Sequence, residues 1–88
     1  MKAILTTIGK DRPGIVAGVS QYLASNDINI LDISQTIMDD KFTMMMQVSV
    51  NDQTNFQQLL NELHQLGKRL SVTIDLRNEE LYRAMQQL

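Results

Sequence analysis

Ile8-Gly9-Lys10-Asp11-Arg12-Pro13-Gly14-Ile15-Val16 is the stretch in which this chain changes its hydrophobic period, and the fold follows from that change. Before it, residues 2–9 mix Ile4, Leu5 and Ile8 with Thr6 and Thr7, a β-prone segment apolar on both faces, as an inner strand requires. After it, Ile15, Val16, Val19, Tyr22 and Leu23 fall on one face of a helix with Pro13 in its first turn. Pro13 suits that place because its φ is already near the helical value and the N–H it lacks has no partner there. Gly9 and Gly14 let backbone come close to a ligand or a second chain. The first-turn N–H groups, with the helix dipole behind them, form a modest seat for a carboxylate or other anion.

Working outward, Asn26-Asp27 ends this helix, because Asn tolerates the left-handed conformation at a C-terminus. Ile28 to Met38 is a second β-prone run whose apolar phase slips from Ile28 and Ile30 to Leu31, Ile33 and Ile37, which predicts a bulge or strong twist near Ile30. Asp39-Asp40, followed by Lys41, reads as a tight hairpin turn. The returning strand sets Phe42, Met44, Met46, Val48 and Val50 on one face and Thr43, Met45, Gln47 and Ser49 on the other. Thr54 and Gln57 have the spacing of a capping box for a second helix with Phe56, Leu59, Leu60 and Leu63 as its buried stripe and Gly67 as its stop. Leu70, Val72, Ile74 and Leu76 then alternate with Ser71, Thr73, Asp75 and Arg77 as a fourth strand. Asn78 caps a short last helix with Leu81, Tyr82, Met85 and Leu88 on one side.

The order is β-α-β-β-α-β, with residues 1–77 as one α+β domain and 78–88 as a C-terminal helical extension. Right-handed crossovers in both β-α-β halves interleave them into an antiparallel sheet of order 4-1-3-2 with both helices on one face, a ferredoxin-like sandwich. The Gly9–Gly14 loop then leaves a central strand, beside the edge where the second strand begins. The other sheet face presents Thr43, Met45, Gln47, Ser71 and Thr73, for the terminal helix or another subunit to cover.

Composition narrows the chemistry. At 88 residues the chain is one small domain that gains from a partner, so a homodimer is expected. It has no cysteine, which removes disulfides, thiolate metal sites and a cysteine nucleophile and fits the cytoplasm. The net charge of −2 and the lack of a basic run disfavour nucleic-acid and membrane partners. His64, the single histidine, falls off the Phe56–Leu63 stripe among Glu62, Gln65 and Lys68, and reads as a solvated surface residue without a second imidazole for metal. Met44-Met45-Met46 is split across both sheet faces by strand alternation, which makes it core and interface and no soft-metal site. Neither a catalytic triad nor a cofactor motif is present, so no catalysis and no cofactor are expected.

The candidate site is therefore the opening loop. Either its backbone N–H groups hold a ligand carboxylate while Asp11 takes an ammonium, or Asp11 caps the helix or pairs with Arg12 and so merely fixes the turn. Asn29, at the start of the second strand, completes the ligand reading; its alternative is ordinary turn chemistry after a helix.

Ile8 to Val16, followed by Asn26-Asp27-Ile28-Asn29-Ile30-Leu31-Asp32 and a hairpin to Phe42-Thr43-Met44-Met45-Met46, resembles the ACT domain over roughly residues 2–77. The likeness is to stand-alone ACT proteins and to the ACT repeats of the glycine-cleavage-system repressor. It implies a regulatory, ligand-sensing module, usually paired with a second copy and often binding an amino acid at the interface. The matching contact positions are Gly9, Asp11, Arg12, Pro13, Gly14 and Ile15 in the loop, and Asn29 and Ile30 in the strand. With no catalytic or DNA-binding domain attached, whatever protein is regulated is reached in trans. Three other readings stand beside it: an acylphosphatase-like small hydrolase with Arg12 in a phosphate loop, an RNA-recognition domain, and a dimeric interaction module without a ligand.

Overall fold

The computed structural model describes residues 1–80; the expected helical stripe of Leu81, Tyr82, Met85 and Leu88 lies outside the described residues. The elements are β1 (Lys2–Lys10), α1 (Ile15–Ser25), β2 (Asn29–Met38), β3 (Lys41–Ser49), α2 (Phe56–Leu70) and β4 (Val72–Asn78). They form one four-stranded sheet of order β2-β3-β1-β4, the expected 4-1-3-2 read from the other edge, and all three pairings are antiparallel. The ferredoxin-like βαββαβ architecture is thus as the residue pattern predicts.

Alternation along β3 decides which sheet face is core. Phe42, Met44, Met46 and Val48 are buried under the helices, while Thr43 and Met45 are exposed on the other side. Directly paired residues share a face. Register therefore puts Ala3, Leu5 and Thr7 of β1 with Val48, Met46 and Met44 on the helix side, and Ile4, Thr6 and Ile8 with Gln47, Met45 and Thr43 on the open side. On β4, Ile74 and Leu76 close the core, whereas Thr73, Asp75 and Arg77 join the open face. Ile15, Val19 and Leu23 of α1 and Leu59, Leu63 and Leu66 of α2 complete it from above. Thr7 is fully buried among them, and its hydroxyl has no partner among the described residues.

Several local expectations shift. The pairing of β2 with β3 slips between Ile30 and Asp32, so the bulge falls where the apolar phase changes. Asp39 takes φ 58° at the first position of a two-residue hairpin loop, as primed turns need. α1 starts later than expected: Gly14 is its N-cap in the left-handed region at φ 91°, so Pro13 precedes the helix, and Val16 stays 37% exposed at its rim. Its end is a Schellman turn, in which Ile28 N–H donates to Leu23 O at 2.9 Å and Asp27 N–H to Ala24 O at 3.2 Å. The left-handed residue there is Asp27, at φ 59°, and not Asn26.

α2 is capped by Asn55, whose side chain accepts from Gln58 N–H at 3.0 Å, one residue beyond the expected Thr54. The helix also runs through Gly67 to Leu70 and stops at Ser71, which holds φ 61°. Ser71 is thus a helix cap and no part of the open face. Gly67 is needed for proximity: a Cβ there would stand 2.7 Å from the Val72 carbonyl oxygen.

Candidate functional site

The loop between β1 and α1 is held at both sides by the ends of other elements. Asp11 N–H donates to the Asp40 carbonyl at 2.7 Å, tying the loop to the β2–β3 hairpin. Arg12 Nη1 donates to Ser71 Oγ at 3.2 Å, tying it to the α2–β4 junction. Gly14 then turns the chain into α1, where Gly18 N–H to Gly14 O at 2.9 Å closes the first helical turn. No side chain caps that turn, and it contains no acidic residue. Its leading N–H groups are consequently donors without an internal partner, at the positive end of an 11-residue helix.

These contacts separate the two readings of Asp11. Its carboxylate neither caps α1 nor pairs with Arg12. Backbone bonding fixes the turn instead, and the side chains of Asp11, Arg12 and Pro13 are exposed beside the helix start. The loop thus offers an acid and a guanidinium next to the unpaired N–H groups of the first turn of α1. Asp40 and Ser71 belong to this neighbourhood and escape sequence reasoning, the first because it acts through its carbonyl, the second because it reads as strand.

Gly9 and Ile15 have packing roles of their own. Gly9 lies in β1 between Phe42 and Val72, and a Cβ on it would meet Val72 Cγ1 at 2.7 Å, so its small size serves strand packing. Ile15 is 2% exposed, so its side chain belongs to the core and its backbone is what it can offer a ligand at the start of α1.

Asn29 and Ile30 are not beside the loop within one chain. β1 and β2 are each antiparallel to β3, so they run parallel to one another. Asn29 pairs with Ser49, which pairs with Lys2, whereas Gly9 pairs with Phe42 and so lies level with Ile37. The start of β2 is thus seven residues of strand, about 23 Å, from the loop. The expected adjacency is corrected to opposite ends of the sheet, with β2 an outer edge exposed at every residue except the half-buried Ile30.

Elsewhere, His64 is half-exposed on α2, with Nε2 4.0 Å from Asp75 Oδ1, and lines a hollow of about 510 Å³ with Lys68 and Val72. Met44 and Met46 are buried and Met45 is exposed, the split that alternation predicts. Tyr22 donates to Glu62 Oε1 at 2.6 Å between the helices; burial, then that bond and the carboxylate charge, push its phenol above the ordinary tyrosine value. The Met1 ammonium, 2.8 Å from Asp52 Oδ1, holds that carboxyl below its usual range. No helix among the described residues is long and apolar enough to cross a membrane.

The ACT domain family model matches residues 2–77, from the first residue of β1 to the penultimate residue of β4. The chain belongs to the ACT domain family. A UPF0237 protein of Listeria innocua is 51% identical to this ACT protein over the full length of both. The solved structure of an ACT domain protein from Streptococcus pneumoniae superposes with a TM-score of 0.86 at 46% identity, covering 93% of each chain. A solved protein described as a glycine cleavage system transcriptional repressor gives 0.77 at 25% identity, covering 86% of this ACT protein and 44% of the other. ACT domains are in general regulatory modules that bind small molecules.

Proposed function

We propose that this ACT protein is a cytoplasmic homodimeric sensor that binds an amino acid or similar zwitterion and acts in trans on a metabolic enzyme or regulator, without catalysis. The observation that carries this reading is the division of the site. Gly9, Asp11, Arg12, Pro13, Gly14 and Ile15 sit at one end of the sheet, and Asn29 and Ile30 at the other end of its exposed edge strand. A second copy paired antiparallel along β2 brings the Asn29 end of one protomer to the loop of the other, twice over, by two-fold symmetry. The edge suits such pairing, since Leu31, Ile33 and Ile37 are exposed along it. In the resulting seat the unpaired N–H groups of α1 take the carboxylate, Asp11 takes the ammonium, and Asn29 comes from the partner.

The loop suits hydrolysis of an acyl phosphate poorly. Pro13 has no N–H, and that of Asp11 is spent on Asp40, which leaves few donors in a row for a phosphoryl group. RNA recognition is disfavoured as well, because the open face carries no aromatic side chain among the described residues. Calorimetry and thermal-shift screening with the amino acids test the sensor reading. A ligand at a hundredfold excess over Kd is expected to stabilise the fold by about 2.7 kcal/mol. Unmoved melting curves across millimolar concentrations of every amino acid would leave the ligand-free dimeric module as the better description.

A further inference from the structure

The hollow beside His64 exposes backbone as well as side chains. Its floor is Val72, Thr73 and Ile74, three successive residues of β4. Successive strand side chains point to opposite faces, and here Ile74 is buried under α2 while Thr73 is exposed on the open face. Three such residues border one hollow only along the outer edge of the strand. We propose that this edge takes an extended acidic segment of a partner protein as a fifth strand, with α2 reading its acid.

β4 is an end strand of the sheet, bonded to β1 alone. In an antiparallel pair only alternate residues turn their N–H and C=O to the partner. One or two of the three floor residues therefore present both groups outward, and no described residue bonds them. Edge strands are normally blunted by proline, a bulge or a charged side chain. From Val72 to Asn78 the register with β1 runs without a slip, and no proline occurs. Cover starts only at Asp75, which lies on the open face. His64 reaches from α2 to within 4.0 Å of Asp75 Oδ1, so its imidazole crosses the edge there. This leaves about 10 Å of open edge, three residues of strand.

The wall above the edge selects the occupant. Asn61, His64, Gln65 and Lys68, spaced three and four apart, line the hollow from α2. Lys68 is exposed and has no carboxylate within ion-pair distance among the described residues. Asp75, the acid of the strand, is held by Arg77 Nε at 3.0 Å. The wall thus carries a lysine, a histidine, two amides and no acid. Side chains of a guest strand alternate, so every second one faces this wall. An aspartate or glutamate there meets Lys68. A second copy pairing through β4 brings a wall of the same composition, and so no partner for the lysine. The proposal rests on the reading of a regulator that acts in trans, and gives that action a surface at the edge opposite β2.

The probe is a blocked heptapeptide alternating threonine with glutamate, and the control alternates threonine with lysine. Titrated into isotope-labelled full-length protein, the glutamate peptide is expected to shift the amide signals of Val72, Thr73, Ile74, His64 and Lys68. It is also expected to slow hydrogen exchange at the outward amides of the strand. Lys68→Glu is expected to weaken its binding about tenfold and to admit the lysine peptide. Arg69→Glu, the same charge change on the flank of α2 that borders Tyr22, is expected to alter neither. Both positions are exposed, and the amide spectrum of each variant checks that it folds. No binding of the glutamate peptide at millimolar concentration, shifts centred elsewhere, or equal weakening by the two variants overturns the proposal. So does protection of the outward amides before any peptide is added, which means that the chain itself or a second copy covers the edge. Melting shifts with amino acids, read on the same protein, keep the two readings apart. Shifts without peptide binding sink this surface and leave the sensor, whereas peptide binding with flat melting curves does the reverse.

Discussion

Gly14 and Gly67 look alike in the sequence and are required for opposite physical reasons. Gly14 has φ 91° and nothing within 4 Å of where a Cβ would be, so its whole cost of substitution is backbone strain. Gly14→Ala is expected to destabilise by about 1–2 kcal/mol, measured as a lower denaturant midpoint with an unchanged slope. Gly67 is an ordinary helical residue whose missing side chain lets α2 lie against β4. Helix propensity alone favours Gly67→Ala by about 1 kcal/mol. The clash at 2.7 Å with a strand carbonyl outweighs that gain, so Gly67→Ala is expected to lower stability, and a raised midpoint would show that the sheet yields. The local pattern made a helix stop of Gly67 because closeness to another element is a tertiary fact, invisible from one segment. Ser71 was hidden for the same reason: a non-glycine residue at φ 61° carries no compositional mark.

Between elements, the phenol of Tyr22 joins α1 to Glu62 of α2. Its pKa is raised on folding by burial first and by the Glu62 bond and charge next, so the folded state keeps a proton that the unfolded chain gives up near pH 10. The stabilisation is therefore complete below about pH 10 and declines as pH rises beyond it. Tyr22→Phe is expected to cost about 1 kcal/mol at neutral pH and to flatten the alkaline decline, followed as denaturant midpoints from pH 9 to 11.5. Parallel slopes for the two proteins would remove the linkage. What was legible at this scale is what neighbours in sequence determine: the alternation of β3, the bulge after Ile30, the hairpin at Asp39-Asp40 and the stripe of α2. The cap fell one residue late because Thr54 and Asn55 are both good cap formers and only the path into the helix chooses between them.

For the whole molecule, right-handed crossovers made the strand order legible, and order alone suggests that the first loop and Asn29 are near. Direction reverses that conclusion. β1 and β2 share β3 as antiparallel partner or neighbour and must start at the same end, so a site made from the loop and Asn29 requires two chains. A single sequence holds no record of the second. This arrangement predicts a result that a site within one chain cannot give. Asp11→Ala and Asn29→Ala homodimers are each expected to lose ligand binding, since each damages both symmetric sites. Unfolding the two variants together and refolding them allows chains to reassort at random, so about half the dimers become mixed. In a mixed dimer one site carries both substitutions, while the other joins an intact loop to an intact Asn29. Calorimetry on the mixture is expected to recover about one quarter of the wild-type stoichiometry at wild-type affinity, following the two-fold pairing. No recovery, with mixed dimers verified by mass, places both halves of the site on one chain or removes one of them from it.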